Sequence, residues 1–190
     1  MKHKILLAIM VAVLITTGSC SQGPTNPEAQ SGRRDYTWTV DTLNMPMNVI
    51  GTIWGSSPQD VWTTGAGGDA TDNLLRYDGT KWNTYKNEPI LCHGNTLFGF
   101  SQNNVWMGGD TGGRIWHYDG TKWRENFRYI VQGAYNRSIT NIWGSQPYDL
   151  YACGIISYIV DGKDLWRGFI LHYDGSSWKE VINTNFNSQF

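Results

Sequence analysis

Three aspartates are the residues whose type and spacing first suggest chemistry. Asp78, Asp119 and Asp174 each follow a Tyr, precede a Gly and stand four residues before a Trp. Carboxylates can act as a general acid and a general base when two of them meet in one site. An active site needs different groups that converge on one point, whereas these three recur at a single position of a repeated sequence. The pattern therefore indicates structural turns, and we assign no catalytic residue.

Histidine and cysteine offer no convincing ligand set. His117 and His172 take equivalent positions of the repeat, where another copy has Arg76, so their imidazoles are predicted to lie on separate units. His93 beside Cys92 gives only two adjacent ligands, too few for a tetrahedral site. No metal is expected. Once Cys20 is modified, Cys92 and Cys153 remain, and we expect buried thiols, with a disulfide between them left open.

One glycine-rich stretch matches a dinucleotide fingerprint by its letters. Residues 65–70 read Gly-Ala-Gly-Gly-Asp-Ala and follow a predicted strand. That motif works only when it opens a helix whose N-terminus receives the pyrophosphate, and here a short polar loop and another strand follow. The sequence has no nucleophile elbow, zinc-protease motif or P-loop. No cofactor is expected.

The best candidate for ligand binding is an insertion in the third copy of the repeat. Eighteen residues separate Gly154 from Tyr173, against 11 and 8 in the first two copies. Ligand contacts need not repeat between copies, and aromatic and Arg side chains on loops are frequent anchors. The candidate ligand-binding residues are Tyr158, Asp161, Lys163, Trp166 and Arg167. Trp166 suits the core equally well. Residues 71–73 form a weaker candidate, for which a solvated turn is the simpler interpretation.

These residues must be positioned by a repeat that the sequence shows three times. Residues 53–65, 97–109 and 142–154 align without gaps, and each copy ends in a Tyr-Asp-Gly-x-x-Trp block. Asp-Gly between two apolar runs is a strong hairpin signal because Gly adopts positive φ freely. The predicted turn residues are Asp78, Gly79, Trp82, Asp119, Gly120, Trp123, Asp174, Gly175 and Trp178.

The length of the repeat predicts a β-propeller. The copies start 44 and 45 residues apart, and each carries four strand signals, as expected for a four-stranded blade. The fold class predicted is all-β, a propeller-type array with blades at about 49–86, 95–127 and 139–182 within residues 35–190. Residues 36–40 resemble one extra strand. Because propellers close with four to eight blades, we expect a truncated chain, with ring closure by a homo-oligomer as the alternative.

Composition agrees with this fold and excludes some partners. The chain of 190 residues contains 22 Gly, 10 Trp and 10 Tyr, which favours short strands and tight turns. Its 15 basic residues against 16 acidic ones, with only 16% charged, argue against a nucleic-acid partner.

The N-terminus predicts export. Lys2 and Lys4 precede an apolar run of 11 residues, too short to cross a bilayer and typical of a signal peptide over residues 1–19. Residues 17–20, Thr-Gly-Ser-Cys, resemble a bacterial lipobox, which implies lipidation of Cys20 and a membrane partner through that lipid. Thr17 departs from the usual Leu, so cleavage without lipidation stays open. Residues 20–34 have no large aliphatic side chain, which predicts a flexible tether or a segment that folds on a partner.

The repeated blocks resemble those of bacterial secreted β-propeller lipoproteins of the kelch-like and Asp-box-like repeat group. Gly108, Gly109, Tyr118 and Trp123 are similar to the double Gly, Tyr and Trp of a kelch repeat. Ser21, not Asp, follows Cys20, and by resemblance to lipoprotein sorting in diderm bacteria this implies the outer membrane or the cell surface. The function expected is a binding module for a glycan or a protein, and the alternative is a sialidase-type or glycosidase-type hydrolase whose site missing blades complete. A third possibility is an assembly factor with no small ligand.

Overall fold

The structure is a computed structural model that describes residues 40, 49–66, 73–85 and 93–183. The predicted signal peptide, Cys20, the tether, Cys92 and, apart from Val40, the extra strand at 36–40 lie outside the described residues. All twelve strands lie in one of the two units into which the chain divides, Thr42–Phe190. No helix long and apolar enough to span a membrane is found in the described part of the chain.

Regular structure in these residues consists of β-strands alone. The strands are β1 (Val49–Ser57), β2 (Asp60–Ala66), β3 (Leu74–Tyr77), β4 (Trp82–Thr84), β5 (Gly94–Ser101), β6 (Asn104–Gly109), β7 (Arg114–Tyr118), β8 (Trp123–Arg128), β9 (Asn136–Gln146), β10 (Asp149–Val160), β11 (Lys163–Tyr173) and β12 (Trp178–Asn183). The all-β prediction is therefore confirmed for the described part of the chain.

The strands form three antiparallel sheets of four strands each. The first sheet contains β1 to β4, the second β5 to β8 and the third β9 to β12, always in sequential order. The repeat extends to irregularities, because the β1–β2 and β5–β6 pairs shift register at equivalent positions, one next to Thr52 and the other next to Thr96. The predicted four-stranded unit is confirmed, and the three sheets do not close a ring within the described residues.

Two hydrophobic clusters hold the sheets together, one at each contact between neighbouring sheets. We call the side of a sheet that packs on the next sheet its forward face and the opposite side its backward face. Trp62 on the forward face of the first sheet packs with Val105 and Trp123 on the backward face of the second. Trp106 on the forward face of the second sheet packs with Leu150 and Trp178 on the backward face of the third.

Candidate functional site

The insertion in the third repeat lengthens two strands. The sequence predicts a loop there, whereas in the structure the added residues continue β10 and β11, which pair without a register shift from Leu150 with Tyr173 to Val160 with Lys163. Asp161 and Gly162 make the connecting two-residue turn with φ values of 52° and 73°. Both residues of a type I′ turn need positive φ, and Asp-Gly suits this requirement. The insertion is therefore an ordered hairpin that extends the third sheet.

The five predicted ligand-binding residues are distributed over two faces and the tip of this hairpin. Tyr158 and Arg167 lie together on the backward face, with the Arg167 guanidinium 5.9 Å from the Tyr158 ring centroid. Trp166 pairs with Ser157 and points to the forward face. Asp161 and Lys163 lie at the tip. The structure thus brings two of the five residues together and separates the other three from that pair.

The forward side of the hairpin exposes several apolar side chains. Ile159 is 64% exposed and Trp166 41%, and both lie on this side. Val160, which is 44% exposed, lies on the backward side because side chains alternate along β10. Tyr135, which precedes β9, is 56% exposed and donates its hydroxyl to Asp164 Oδ1 at 3.2 Å. We call Tyr135, Ile159 and Trp166 the hairpin surface. Among the described residues, neither of the first two sheets has a hairpin of this length, so the hairpin surface is a feature of the third sheet.

The backward side of the hairpin carries a polar cluster that the sequence analysis missed. The Tyr129 hydroxyl donates to Glu180 Oε2, and its ring lies 4.6 Å from that of Phe169. Burial and the Glu180 carboxylate raise the pKa of Tyr129 above its usual range. The Arg167 Nε–H is buried and has no hydrogen-bond partner among the described residues. Tyr129 lies between two repeats and Glu180 in the last strand, so no local pattern connects them.

Each Tyr-Asp-Gly block forms a four-residue turn organised by the aspartate side chain. Asp119 Oδ1 accepts hydrogen bonds from Thr121 N at 2.9 Å, Thr121 Oγ1 at 2.5 Å and Lys122 N at 3.0 Å. Asp78 and Asp174 make the same three contacts in their own turns. Hydroxyl and backbone N–H donors hold the pKa of all three carboxyls well below the usual range.

A second polar group repeats between the second and third strands of each sheet. In the third sheet, Asp149 Oδ2 accepts from Ser145 Oγ at 2.6 Å and Asp149 Oδ1 lies 2.8 Å from His172 Nε2. Ser145 and His172, in that order, lower the pKa of Asp149. Ser, Asp and His are the residue types of a hydrolase triad, yet the hydroxyl donates to the carboxylate, so the imidazole cannot take its proton. The arrangement is a cross-strand brace.

The brace is built from different residues in the other sheets. In the first sheet, Asp60 Oδ1 accepts from Arg76 Nε at 2.7 Å, and the Arg76 guanidinium lies 4.9 Å from the Trp62 ring centroid. In the second, His117 Nε2 lies 3.0 Å from Asn104 Oδ1, and burial lowers the pKa of His117. The gapless alignment of the repeats places Asp60, Asn104 and Asp149 at one position, and that alignment is the signal that could have identified the brace.

Two further features concern predicted ligands. Among the described residues no group of three His, Cys, Asp or Glu side chains could hold a metal ion. Asn73 of the weaker loop candidate is buried, whereas residues 71 and 72 and most of the glycine-rich stretch lie outside the described residues. Cys153 is only half-buried, in contrast to the buried thiol expected, and its sulfur lies 3.8 Å from Thr140 Oγ1. Cys92 lies outside the described residues.

The described surface also has two concave regions. A groove of about 570 Å³ lies between the first two sheets and is lined by Trp54, Gly99 and the serines of the adjoining turns. A smaller hollow of about 240 Å³ lies on the forward face of the third sheet, lined mainly by Trp143, Tyr151 and Ile170. Neither holds converging titratable groups of the kind that a catalytic cleft presents.

Comparison with known proteins supports the fold and says little about activity. No protein-family model matches the chain, and no curated protein matches it. The chain is similar to the GH74 xyloglucanase from Xanthomonas campestris, with a TM-score of 0.50 and 13% identity over 70% of this chain and 21% of that one. It is also similar to YCF48 bound to D1 peptide, with a TM-score of 0.47 and 17% identity over 77% of this chain and 43% of that one.

Both of these structures are β-propeller proteins. At such identities the likeness to the xyloglucanase concerns the fold alone, and it confirms the propeller architecture predicted from the repeats. The chain spans about a fifth of the length of the xyloglucanase and less than half of that of YCF48.

Proposed function

We propose that this chain is a β-propeller binding module that recognises another protein through the hairpin surface. The observation that carries the proposal is the exposure of Ile159 and Trp166 on one face of an ordered hairpin that has no counterpart among the described residues of the first two sheets. Exposed apolar side chains that lie together on a rigid element are typical of protein interaction sites. The β-hairpin is rigid because its two strands pair through to the Asp161-Gly162 turn.

The chemistry of the hairpin surface favours a protein over a glycan. The Ile159 side chain offers no hydrogen-bonding group, whereas a sugar ring needs several polar partners around an aromatic platform. The polar groups beside the apolar residues are Asp164 and the Tyr135 hydroxyl, and these already bond to each other at 3.2 Å. A partner segment with one or two large apolar side chains would fit this surface.

A binding module is also favoured over a hydrolase by the state of the carboxylates. The turn aspartates accept three hydrogen bonds each from their own turns. Asp60 and Asp149 are engaged in the braces of their own sheets. A glycosidase needs two carboxyl groups facing one bond at about 5 to 9.5 Å. These five aspartates are thus engaged in supporting turns and strands.

The proposed site of action is the bacterial envelope, and this part rests on the sequence. The chain would belong to the secreted kelch-like and Asp-box-like propeller lipoproteins, exported by residues 1–19 and anchored through Cys20. Labelling cells with an alkyne-bearing fatty acid tests the anchor. Wild-type protein and Cys92→Ala should take up the label, and Cys20→Ala should not. Equal labelling of Cys20→Ala would exclude the anchor.

The protein partner can be sought by site-specific photo-crosslinking. A benzophenone amino acid replaces Trp166 in the full chain, expressed in the organism that makes it. The matched control places the same group at Tyr148, which is 60% exposed at the opposite end of β10. The expected result is one discrete protein adduct from position 166 that Ile159→Asp abolishes and that position 148 does not give.

Other outcomes would contradict a protein partner. Identical adduct patterns from positions 148 and 166 would mean that the hairpin surface selects nothing. Binding of the purified chain to a glycan array, if Ile159→Asp removes it, would assign the surface to a glycan. Turnover of a fluorogenic glycoside by the purified chain would support the hydrolase.

A further inference from the structure

Each of the two contacts between neighbouring sheets contains a cluster of three aromatic rings. Between the first and second sheets, the Trp62 ring lies 5.0 Å from Tyr118 and 5.4 Å from Trp123. Between the second and third sheets, Trp106 lies 5.2 Å from Tyr173 and 5.9 Å from Trp178. In both cases a forward-face ring packs on the Tyr and Trp that flank the Asp-Gly turn of the next sheet. The contact is therefore specified by the repeat.

The three sheets also carry the two halves of a third such cluster, a single ring on the third sheet and a Tyr–Trp pair on the first. These two halves are not in contact with each other. Tyr151 takes the position of Trp62 and Trp106 on the forward face of the third sheet and is 41% exposed, whereas those two are 0% and 2% exposed. On the backward face of the first sheet, Tyr77 and Trp82 lie 5.4 Å apart in the arrangement that receives such a ring. Both are only half-buried.

A tryptophan packed on a glycine forms a second contact between the first and second sheets, and its equivalents on the terminal faces are also separated. The Trp54 indole lies where a side chain on Gly99 would be, since a Cβ there would come 2.6 Å from the indole. Trp143 is the third-sheet equivalent of Trp54 and is 58% exposed. Gly55 is the first-sheet equivalent of Gly99 and is also exposed. Trp143 on the forward face of the third sheet therefore has no glycine packed against it among the described residues. Gly55 on the backward face of the first sheet likewise has no indole packed against it.

The aliphatic side chains show that part of the backward face of the first sheet is open, although Leu75 on that face is 0% exposed. Ile53 on the backward face of the first sheet is 64% exposed, while the equivalent Leu97 and Ile142 are 7% and 2% exposed. The forward face of the third sheet presents Trp143, Tyr151, Cys153, Ile155 and Ile170. The ionisable pair beside them, Asp149 and His172, is satisfied internally at 2.8 Å. Burying this face would thus desolvate no unpaired charge among these residues.

We propose that two copies of this chain associate, with the forward face of the third sheet of each copy packed on the backward face of the first sheet of the other. Tyr151 of one copy then enters the Tyr77 and Trp82 pair of the second copy, and Trp143 covers its Gly55. A two-fold axis forms both contacts at once, so no face is left to continue the association. The six sheets fall within the range at which propellers close.

A second copy is the occupant that the residues select, because both unmatched halves belong to this chain. The relation between the halves is the one already present twice inside it, between Trp62 and Trp123 and between Trp106 and Trp178. This association does not involve the tip of the hairpin surface, and it does not depend on the proposed protein ligand.

The experiment measures the mass of the full chain by native mass spectrometry from detergent. Wild type should have the mass of two chains. Tyr151→Glu and Ile53→Glu each place a charge in the contact and should give one chain. Tyr148→Glu is the matched control, since Tyr148 is 60% exposed at the β9–β10 turn, and it should keep two chains. Circular dichroism and thermal melting of each variant check that the fold persists, and Ile155→Glu replaces Tyr151→Glu if that variant unfolds.

Mixing the two single-chain variants makes the test specific. The Ile53→Glu chain retains an intact third sheet and the Tyr151→Glu chain an intact first sheet, so the mixture should recover a heterodimer through one contact. A wild-type monomer, as expected if a further blade of a longer chain covers Tyr151, overturns the proposal. So does a dimer that Tyr151→Glu disrupts and Ile53→Glu does not, because the third sheets would then pair with each other.

Discussion

At the scale of the residue, the aspartate of each Tyr-Asp-Gly block works through its side chain. Gly79, Gly120 and Gly175 have φ values of 90° to 95°, so glycine supplies the left-handed conformation that the turn requires. The preceding aspartate accepts two backbone N–H groups and one hydroxyl. These contacts satisfy the donors of a four-residue loop that has only one cross-turn backbone hydrogen bond. A catalytic interpretation of these carboxylates is unnecessary.

The hydroxyl at the third turn position should matter for stability. Thr121→Val removes the 2.5 Å hydrogen bond from Thr121 Oγ1 to Asp119, and we expect a lower urea midpoint with an unchanged slope. Thr121→Ser is the matched control, because Ser176 makes the same contact in the third turn at 2.7 Å. Equal midpoints for the Val and Ser variants would show that the hydroxyl contributes nothing.

The same turns predict how stability depends on pH. Hydroxyl and backbone donors lower the pKa of Asp78, Asp119 and Asp174 below the ordinary value of 3.8. The folded protein then holds these protons less tightly than the unfolded chain does. Their stabilisation is present above about pH 4 and is lost as the pH falls towards the folded pKa values.

Urea unfolding between about pH 6 and about pH 2, followed by Trp fluorescence, measures this dependence. Asp119→Asn keeps a turn acceptor and removes one titration, so its free energy of unfolding should fall less steeply with acid than that of wild type. A parallel decline of both proteins would contradict the assignment.

At the scale of the element, close approach of the sheets depends on positions that have no side chain. A Cβ on Gly108 in β6 would come 2.4 Å from Ile139 Cγ2 in β9. The backbone of one sheet can therefore lie against an aliphatic side chain of the next. The end of the β10–β11 hairpin does not pack on a neighbouring sheet. Its added length lies beyond the sheet contact, which leaves the hairpin surface exposed.

Gly108→Ala should strain the contact between the second and third sheets. Overpacking a filled interface costs about 1 to 3 kcal/mol. Gly51→Ala is the control in the same kind of strand, since the nearest atom to a Cβ there is Thr64 O at an ordinary 3.6 Å. Thermal and urea unfolding of the two variants should show a clear loss for Gly108→Ala and little change for Gly51→Ala.

At the scale of the whole molecule, the three sheets are linked by two equivalent contacts, and each sheet depends on a neighbour to cover its rings. Trp62 and Trp106 are covered in this way, and Tyr151 is not. The hairpin surface lies on the same forward face as Tyr151, further along the β10–β11 hairpin. The part around Tyr151 concerns how the array is completed, and the part around Ile159 and Trp166 concerns what the array binds.

Shortening the hairpin should separate these two properties. A chain in which a two-residue Asn-Gly turn replaces residues 157–166 should keep its two-chain mass and its circular dichroism spectrum. With the photo-reactive group at Tyr135 in place of position 166, the discrete adduct should form in the full-length hairpin and disappear in the shortened one. Loss of the dimer on shortening would mean that the hairpin belongs to the contact between copies.

The sequence by itself determined the strands, the turns and the four-stranded unit. These features are local: an Asp, a Gly and a Thr within four residues satisfy one another, and alternation along β10 places Leu150 and Tyr151 on opposite faces. The spacing of the repeat then implied a propeller. The insertion was also visible, although its pairing as a hairpin depended on strand register and on the Asp161-Gly162 turn.

Only the tertiary structure decided which of these residues are covered. Trp62 and Tyr151 hold one position of the repeat, yet they are 0% and 41% exposed, because burial depends on whether another sheet follows. Tyr129 and Glu180 bond across 51 positions of sequence, a separation that no local pattern encodes. Local hydrogen bonding and alternation fix the elements, whereas contacts between sheets are set by which faces meet in space.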